Sequence, residues 1–494
     1  MLAILIVTPR LAAFPDYLGV YTLATSLISY LAYGDLGFLM ASTKLAAEAY
    51  ARNSKKDLAY IGFAAAISLV AWIIFAFGLV AFWRVYSEQK LTGHDDAFRN
   101  FFSYVMLTLI CFSPVLILRR IVQIFYAIRL EDYYLRVFFA FGSLIKILGS
   151  FYIVKQDPYG VGHYFLFGNG VDLLLVLVCF GFSFRRYGYS LTDFIKSIRL
   201  DPQIFRETKG LATAGLLSTV CWILFFELDS LFLATFGSLE QVGLMTGCLM
   251  LVGYLRMLLG IIYSPFAVRF NYFSGHGDWT GLKQYCRDLI EVTFPVSVFF
   301  VLSIVLLVRP LMVSWLGGRY AEASLTTSFF VASFMFSFAQ YPGSFLLITL
   351  ERNREIALAA IFSVVVYWLG IIFLFDRIGI LAIGIFKLIS FVTMFVFYMY
   401  KIIEFVHIDL GKSLRAFLMP AILVAVMLVS LNQWVTTWLS FEKSYLNVLK
   451  VVLIGAVYSV CSILIFYILS RAFREAVKRA WTIAKDAFFK KKLA

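Results

Sequence analysis

The sequence predicts an all-α polytopic membrane protein of about 14 transmembrane helices, in which two six-helix repeats surround a central cavity and two helices follow. Two observations carry this prediction. Of the 494 residues, 62% are hydrophobic and 15% are charged, whereas a soluble domain is about half apolar and about a quarter charged. The apolar residues also form long runs, which favour helices that pair their own backbone groups over an outer-membrane barrel.

Fourteen apolar runs follow one another along the chain, and most are long enough to cross a bilayer as a helix of about 20 residues. The first, at about 1–14, is interrupted by Pro9 and Arg10, and we expect this helix to lack its beginning. Full spans are predicted at about 18–42, 57–83, 99–118, 134–154, 163–184, 211–236, 243–268, 290–312, 324–349, 356–375, 378–400, 416–438 and 446–470.

The basic residues predict the orientation of these spans. If the N-terminus is cytoplasmic, the loops and tail on that side hold 30 of the 43 Lys and Arg residues, and the opposite loops hold 8. Positive charge accumulates in the cytoplasmic loops of membrane proteins. We therefore expect both termini in the cytoplasm, interpret the net charge of +14 as a topological signal, and expect no nucleic-acid partner.

Two halves of the chain resemble each other. Leu18-Gly19-Val20-Tyr21 corresponds to Val242-Gly243-Leu244-Met245 at an offset of 224 residues, and Tyr30-Leu31 corresponds to Tyr254-Leu255 at the same offset. Internal repeats are common in secondary transporters, whose substrate sites lie at the repeat interface. The predicted segments are an N-terminal repeat (1–184), an interfacial linker on the inner surface (185–210), a C-terminal repeat (211–405), two extra helices (406–470) and a basic cytoplasmic tail (471–494).

The sequence contains no pattern typical of an enzyme or a metal protein. The six Cys residues form no CxxC pair and the four His residues are isolated from one another, so we expect no metal site and no cofactor. Paired catalytic carboxylates, a nucleophile elbow and a phosphate-binding glycine loop are also missing. We therefore do not expect an enzyme, and energy for any transport must come from an ion gradient or from substrate flux.

Charged residues near the centres of predicted spans are the candidate functional residues. A charge at midspan costs at least about 2.5–3.5 kcal/mol, so it normally faces a wet cavity or pairs with an opposite charge. Both interpretations stay open here, because the two signs are equally represented. The basic members are Lys146, Arg256 and Lys387, and the acidic members are Asp172, Glu227 and Asp229.

Five segments, in order along the chain, match the pattern of one known family. They are Pro15-Asp-Tyr-Leu-Gly19-Val-Tyr21, Tyr33-Gly-Asp35-Leu-Gly37, Ala46-Ala47-Glu48 with Arg52 and Lys55-Lys56, Phe226-Glu227-Leu-Asp229, and Ser314-Trp-Leu-Gly-Gly-Arg-Tyr320-Ala-Glu-Ala-Ser324. Over about 1–405 the chain thereby resembles the polysaccharide-export branch of the multidrug/oligosaccharidyl-lipid/polysaccharide superfamily, which includes O-antigen flippases of the Wzx type. Two departures are Leu11-Ala12-Ala13 after Arg10, where the family often has Leu-Gly, and Met245 in place of a usual Tyr.

The resemblance implies a flippase of the bacterial cytoplasmic membrane. Its substrate would be an undecaprenyl-diphosphate-linked oligosaccharide, an O-antigen or exopolysaccharide repeat unit, moved from the inner to the outer leaflet by alternating access. A polysaccharide polymerase and a chain-length regulator are the candidate protein partners, besides the lipid bilayer itself. A multidrug and cation antiporter of the same superfamily, and a flippase for the peptidoglycan precursor lipid II, are the alternatives.

For such a substrate we expect basic residues to bind the diphosphate. Arg256 is the first candidate because the guanidinium fork binds two oxygens at once, followed by Lys146, Lys387 and Arg10. The acidic residues are expected to serve coupling or structure, Asp229 because it matches the family pattern, together with Glu227 and Asp172. For Asp35 and Glu48, toward the inner end of the second span, a hinge or a salt bridge with the basic loop that follows is the simpler role.

Overall fold

The computed structural model contains only helices in the part of the chain that it describes, so the prediction of an all-α polytopic fold is confirmed. It describes residues 8–479 except 32–33, 36, 53–55, 92, 130, 155–158, 408–409 and 438–441. Tyr33, Leu36 and Lys55 of the quoted segments lie outside the described residues, as do positions 1–7 of the predicted first helix and 480–494 of the predicted tail.

The chain divides into two compact units, Met1–Thr246 and Gly247–Ala494. Besides a helical segment at 8–11 and the π-helical turn Ile223–Glu227, the first unit contains nine α-helices in its described residues, and a tenth, α10 (Leu239–Gly275), continues into the second unit. These nine are α1 (Pro15–Leu31), α2 (Phe38–Ala51), α3 (Asp57–Lys90), α4 (Asp96–Ala127), α5 (Asp132–Ile153), α6 (Tyr159–Tyr187), α7 (Leu191–Ser197), α8 (Pro202–Trp222) and α9 (Asp229–Phe236).

The second unit continues with seven helices that have their own buried aromatic and aliphatic clusters. They are α11 (Trp279–Leu316), α12 (Ser324–Ala332), α13 (Ser337–Thr349), α14 (Asn353–Ile378), α15 (Leu381–Val406), α16 (Leu410–Thr436) and α17 (Tyr445–Leu469). A short helix at 471–479 follows, and Arg479 binds Asp288 and Glu291 of α11 at 2.9 Å. This part of the basic tail is therefore packed on the protein.

The described residues contain eleven segments long and apolar enough to cross a membrane, or twelve if the bent pair around Glu227 counts as one span. One of the eleven, Ser324–Thr349, consists of α12 and α13 joined by the 3-10 turn Ser333–Phe336. Each of the twelve spans predicted from 57–83 onward corresponds to one of these. The prediction of a single helix at 18–42 is wrong, because α1 ends at Leu31 and α2 begins at Phe38. The predicted total of fourteen therefore differs only at the N-terminal end.

The break between α1 and α2 has a local cause. Gly37 has a φ of 84°, in the left-handed region that favours glycine. The Asp35 carboxylate accepts a hydrogen bond of 2.8 Å from the Leu39 backbone N–H and pairs with Arg120 of α4 at 3.2 Å. Asp35 is buried. The helical chain is therefore interrupted at a position where a buried carboxylate is paired with Arg120.

The predicted repeat has a counterpart where α1 crosses the first turns of α10. A Cβ on Gly19 would clash with the Leu239 carbonyl, and a Cβ on Gly243 would clash with the Pro15 carbonyl. The Thr22 and Thr246 hydroxyls share a hydrogen bond of 2.6 Å across the crossing. The members of each corresponding pair are 224 residues apart, which is the reciprocal pattern expected of two-fold-related repeats. The repeat boundaries themselves stay a prediction.

Part of the predicted interfacial linker forms α7, which is amphipathic. Phe194 is buried and packs against Phe125 of α4 with ring centroids 5.7 Å apart. Leu191 and Ile195, on the same apolar side of the helix, are exposed. A helix of this kind suits a membrane surface, and the interfacial position of the linker stays a prediction.

Candidate functional site

A cavity of about 220 Å³ lies within the first unit, between α1, α4, α5 and α6. Its wall contains two basic groups, one carboxylate and several hydroxyl and amide groups, in a bundle whose helices are otherwise strongly apolar. The polar and charged residues of the wall are Tyr21, Thr25, Ser113, Arg119, Lys146, Tyr164, Asn169 and Asp172.

Lys146 and Asp172, both predicted from the sequence as midspan charges, form an ion pair in this cavity. Lys146 Nζ lies 2.7 Å from Asp172 Oδ2, and the two side chains are 22% and 28% exposed. The pair joins α5 to α6 and keeps part of each charged group accessible from the cavity. The structure thus places one predicted basic residue and one predicted acidic residue together.

Glycine residues position this pair. Gly142 and Gly149 lie one turn before and one turn after Lys146, on the same face of α5. A Cβ at Gly142 would clash with Leu175, and a Cβ at Gly149 would clash with Phe167, both on α6. The two helices therefore approach closely, and the Lys146 side chain reaches Asp172 without spanning a wide gap.

Arg119 is the functional candidate that the sequence interpretation missed. The sequence placed it in the loop 119–136, but α4 continues to Ala127, so Arg119 lies inside a helix. Its guanidinium stacks 3.9 Å from the ring centre of Phe139 on α5 while it lines the cavity. Its spacing from Phe112 and Leu116 matches one helix face, and this periodicity was the available signal. With Arg119, the cavity wall carries two cations against one carboxylate.

Neutral polar groups complete the wall of the cavity. Thr25 and Asn169 donate hydrogen bonds of 2.8 Å to carbonyl oxygens of their own helices. Their side-chain oxygens can still accept hydrogen bonds from a ligand. The Ser113 hydroxyl accepts a hydrogen bond of 2.9 Å from the Trp72 indole and is positioned by it. Such groups suit a ligand that carries hydroxyl groups next to its anionic part.

Arg10, another predicted diphosphate ligand, lies in the first unit but is not part of the cavity wall. Its guanidinium donates a hydrogen bond of 3.3 Å to the Ser150 carbonyl and stacks 3.8 Å from the ring centre of Phe151. Both contacts lie near the C-terminal end of α5. The structure therefore connects Arg10 to the helix that carries Lys146, not to the ion pair itself.

Glu227 and Asp229 lie where the chain bends. A π-helical turn, Ile223–Glu227, follows α8, and the segments on either side of Leu228 meet at 50°. The Glu227 carbonyl accepts a hydrogen bond of 2.8 Å from the Tyr30 hydroxyl. Asp229 is buried in the first turn of α9, where the helix dipole favours a carboxylate. The expectation of a structural or coupling role stays a prediction.

Arg256 and Lys387, the remaining basic candidates, belong to the second unit. Lys387 on α15 is only 1% exposed, and its Nζ lies 3.8 Å from the ring centre of Tyr367 and 5.3 Å from that of Phe330. Arg256 on α10 is partly buried. Neither residue lines the cavity of the first unit.

Asp35 and Glu48 also lie outside the cavity wall. Asp35 pairs with Arg120, a residue of α4, so a salt bridge is present but its partner is not in the loop after α2. Glu48 is exposed near the end of α2. These positions fit a structural role better than contact with a ligand.

Comparisons with known proteins identify the fold. No protein-family model matches the chain, and no curated protein does. Among solved structures, the chain is similar to the lipid II flippase MurJ in an inward closed conformation, with a TM-score of 0.59 and 13% identity over 93% of this chain and 97% of that chain. It is also similar to an inward-facing multidrug resistance MATE family transporter of the MOP superfamily, with a TM-score of 0.58 and 13% identity over 83% and 96% of the two chains.

The class that follows is a polytopic α-helical membrane protein with the fold of these transporters. At 13% identity the likeness establishes the fold and not the substrate.

Proposed function

We propose that this chain is a flippase that moves an undecaprenyl-diphosphate-linked oligosaccharide, such as an O-antigen or exopolysaccharide repeat unit, from the inner to the outer leaflet of a bacterial cytoplasmic membrane. The observation that carries the proposal is the cavity within the first unit, whose wall combines Lys146 and Arg119 with a single carboxylate. The fold supports it as well, because a flippase with a lipid-linked substrate shares that fold. Alternating access is the proposed mechanism.

The chemistry of the cavity suits a diphosphate. An anionic group cannot enter hydrocarbon without a large desolvation penalty, so it needs cations along its path. The Arg119 guanidinium can bind two phosphate oxygens at once, and the Lys146 ammonium can act as a point charge. The polyprenyl tail can stay in the bilayer throughout.

The size of the cavity limits what it can hold. A site for a drug-sized ligand measures about 300–1,000 Å³, and this cavity measures about 220 Å³. We therefore assign to it the diphosphate and the nearest part of the first sugar, with Thr25 and Asn169 as acceptors for sugar hydroxyls. Arg256, Lys387 and Arg10 stay predicted contacts for the same class of substrate.

Two alternatives differ in how well they fit the cavity. Lipid II has the same anionic diphosphate, so a lipid II flippase would use Lys146 and Arg119 in the same way. A multidrug and cation antiporter would favour an acidic wall, and the excess of cations over carboxylates argues against it. The experiment must therefore separate glycan substrates from one another as well as from cationic drugs.

The proposal is tested by deleting the gene in its native host and measuring surface polysaccharide and the leaflet location of diphosphate-linked glycan in vesicles. We expect surface polymer to be lost and glycan to accumulate on the inner leaflet. Lys146→Ala, Arg119→Ala and Arg256→Ala should fail to restore export, whereas Arg84→Ala, at a side chain 81% exposed, should restore it.

Other outcomes would identify an alternative. Unchanged surface polymer together with raised sensitivity to cationic drugs would overturn the flippase assignment. Loss of viability with accumulated lipid II, and no selective loss of surface polymer, would favour the lipid II flippase. A polysaccharide polymerase and a chain-length regulator remain the proposed protein partners, to be sought by crosslinking in the same host.

A further inference from the structure

We propose that the Asp172 carboxylate takes the place of a substrate phosphate on Lys146, and that a diphosphate displaces it from Lys146 on binding. This inference rests on the proposed function, because it concerns the same cavity and the same class of ligand. It assigns to Asp172 a specific task, which is to set how tightly the anion is held.

The first step of the argument is the accessibility of the pair. Lys146 and Asp172 are 22% and 28% exposed, and both belong to the cavity wall. An anion in the cavity can therefore reach the Lys146 ammonium. Lys387 offers a contrast, since only 1% of it is exposed and it does not line this cavity.

The second step is the charge balance of the cavity. Arg119 and Lys146 are its cations, Asp172 is the one carboxylate in its wall, and Tyr21 and Tyr164 are the other titratable groups there. Two cations without a counterion would be costly inside a membrane-embedded bundle. Asp172 reduces this cost by pairing with Lys146, and an arriving phosphate can take over that role.

The third step is the room for exchange. Gly168 of α6 faces the stem of Lys146, and even an added Cβ there would come no closer than 4.0 Å to Lys146 Cε. No bulky group at that position holds the Lys146 stem against Asp172. The ammonium can therefore turn from Asp172 toward a phosphate without repacking α5 and α6.

The exchange has a consequence for transport. Binding of the diphosphate must break the Lys146–Asp172 pair, which weakens the net affinity, and release is helped when the pair forms again. A transport site must hold its cargo firmly enough to admit it and loosely enough to let it leave. Asp172 would weaken binding of the diphosphate enough to allow its release.

The test measures binding of undecaprenyl diphosphate, with undecaprenol as the neutral reference, to the full-length protein in nanodiscs. Asp172→Asn should bind the diphosphate about tenfold more tightly, a factor that corresponds to about 1.4 kcal/mol, and should release it more slowly. Lys146→Gln should lose most of the preference for the diphosphate. Adding Asp172→Asn to Lys146→Gln should not tighten binding of the diphosphate further, because the carboxylate no longer competes for Lys146.

A matched control is available in the same unit. Asp96 pairs with Arg99 at 2.7 Å on the surface, outside the cavity wall. Asp96→Asn removes the same charge from an ion pair of the same length, and should leave the affinity unchanged. Asp172→Ser is measured together with Asp172→Asn. If one of these neutral variants does not fold, the affinity of the other still tests the proposal.

The outcomes separate the two proposals. If the wild-type protein binds undecaprenyl diphosphate no better than undecaprenol, both the proposed function and the role of Asp172 are overturned. If the wild-type protein prefers the diphosphate but a folded neutral variant of Asp172 binds it equally or more weakly, only the role of Asp172 is overturned. In that case Asp172 does not compete with the diphosphate for Lys146, and its role in the cavity is structural.

Discussion

Two lysines in this chain show how the same residue type takes different roles at the residue scale. Lys146 and Lys387 both lie inside long apolar helices, and local sequence makes them equivalent candidates. Lys146 pairs with a carboxylate at the edge of a cavity. Lys387 is buried beside the ring of Tyr367. A cation over an aromatic face is stabilised by about 2 kcal/mol when it is desolvated.

Replacement of Tyr367 tests whether its ring stabilises the buried Lys387 ammonium. Tyr367→Leu should lower the free energy of unfolding by about 2 kcal/mol or more, because it removes the ring beneath a buried ammonium. Tyr367→Phe keeps an aromatic ring and should lower the free energy of unfolding distinctly less than Tyr367→Leu. Unfolding of the purified protein in detergent by denaturant titration measures both. Equal losses in the two variants would show that the ring does not stabilise Lys387.

At the scale of elements, the contact between α5 and α6 positions the ion pair of the cavity. Gly142 and Gly149 allow the close approach of the two helices, with Lys146 between them. Close packing through small residues is a common basis of helix association in membranes. The glycines are therefore expected to matter for binding although they touch no ligand.

Gly142→Leu tests this dependence. The larger side chain must displace Leu175, and overpacking of this kind costs about 1–3 kcal/mol and separates Lys146 from Asp172. We expect lower thermal stability and weaker diphosphate binding. Gly170→Ala on α6 is the control, because a Cβ there meets no atom within 4 Å. A Gly142→Leu protein that binds and unfolds like the wild type would contradict the proposed role of the glycine.

A second contact between elements joins the start of α5 to the end of α6. Arg186 donates hydrogen bonds of 3.0 and 2.9 Å to the Glu131 carboxylate, and the Tyr187 hydroxyl donates one of 2.7 Å. These hydrogen bonds, that of Arg186 foremost, lower the pKa of Glu131 from its ordinary value. The ionised form of Glu131 is therefore favoured in the folded protein.

The lowered pKa predicts a pH dependence of stability. A carboxyl whose pKa is lower in the folded state stabilises the protein above its unfolded pKa of about 4.3, and this contribution is lost as the pH falls through the lower folded value. Between pH 7 and pH 3 the wild type should thus lose more stability than Glu131→Gln. Unfolding followed by tryptophan fluorescence measures the difference, with Glu88→Gln, at an exposed side chain, as the control. If the stability of the wild type and of Glu131→Gln fell equally between pH 7 and pH 3, the predicted contribution of Glu131 would be refuted.

At the scale of the whole molecule, the chain consists of two compact units with up to twelve candidate spans in the described residues. The crossing of α1 and α10 contains reciprocal contacts of Gly19 and Gly243. The two glycines are the same pair that the sequence comparison aligns at an offset of 224 residues, and the internal repeat stays a prediction. The distribution of basic residues adds an orientation to the predicted architecture.

The orientation is tested with single cysteines at exposed positions in two loops. His94 lies between α3 and α4, and His276 lies between α10 and α11. A membrane-impermeant maleimide should label His94→Cys from outside the cytoplasmic membrane, and should label His276→Cys only after permeabilisation. The parent protein, with its six native cysteines, provides the background. Labelling in the reverse order would invert the predicted topology.

The sequence by itself determined the class of fold and the positions of twelve spans, because the apolar content of a window of about 20 residues is a local property. It also identified Lys146 and Asp172, since charges inside such windows are conspicuous. It did not identify the break between α1 and α2, where Asp35 finds Arg120 from a distant helix.

Only the tertiary structure decided which charges meet. Lys146 reaches Asp172 because α5 and α6 approach each other through glycines. Arg119 joins them because α4 extends past the predicted end of its span, whereas Lys387 is buried beside Tyr367. These outcomes depend on the rotation of each helix about its axis and on its neighbours, and local sequence does not specify either.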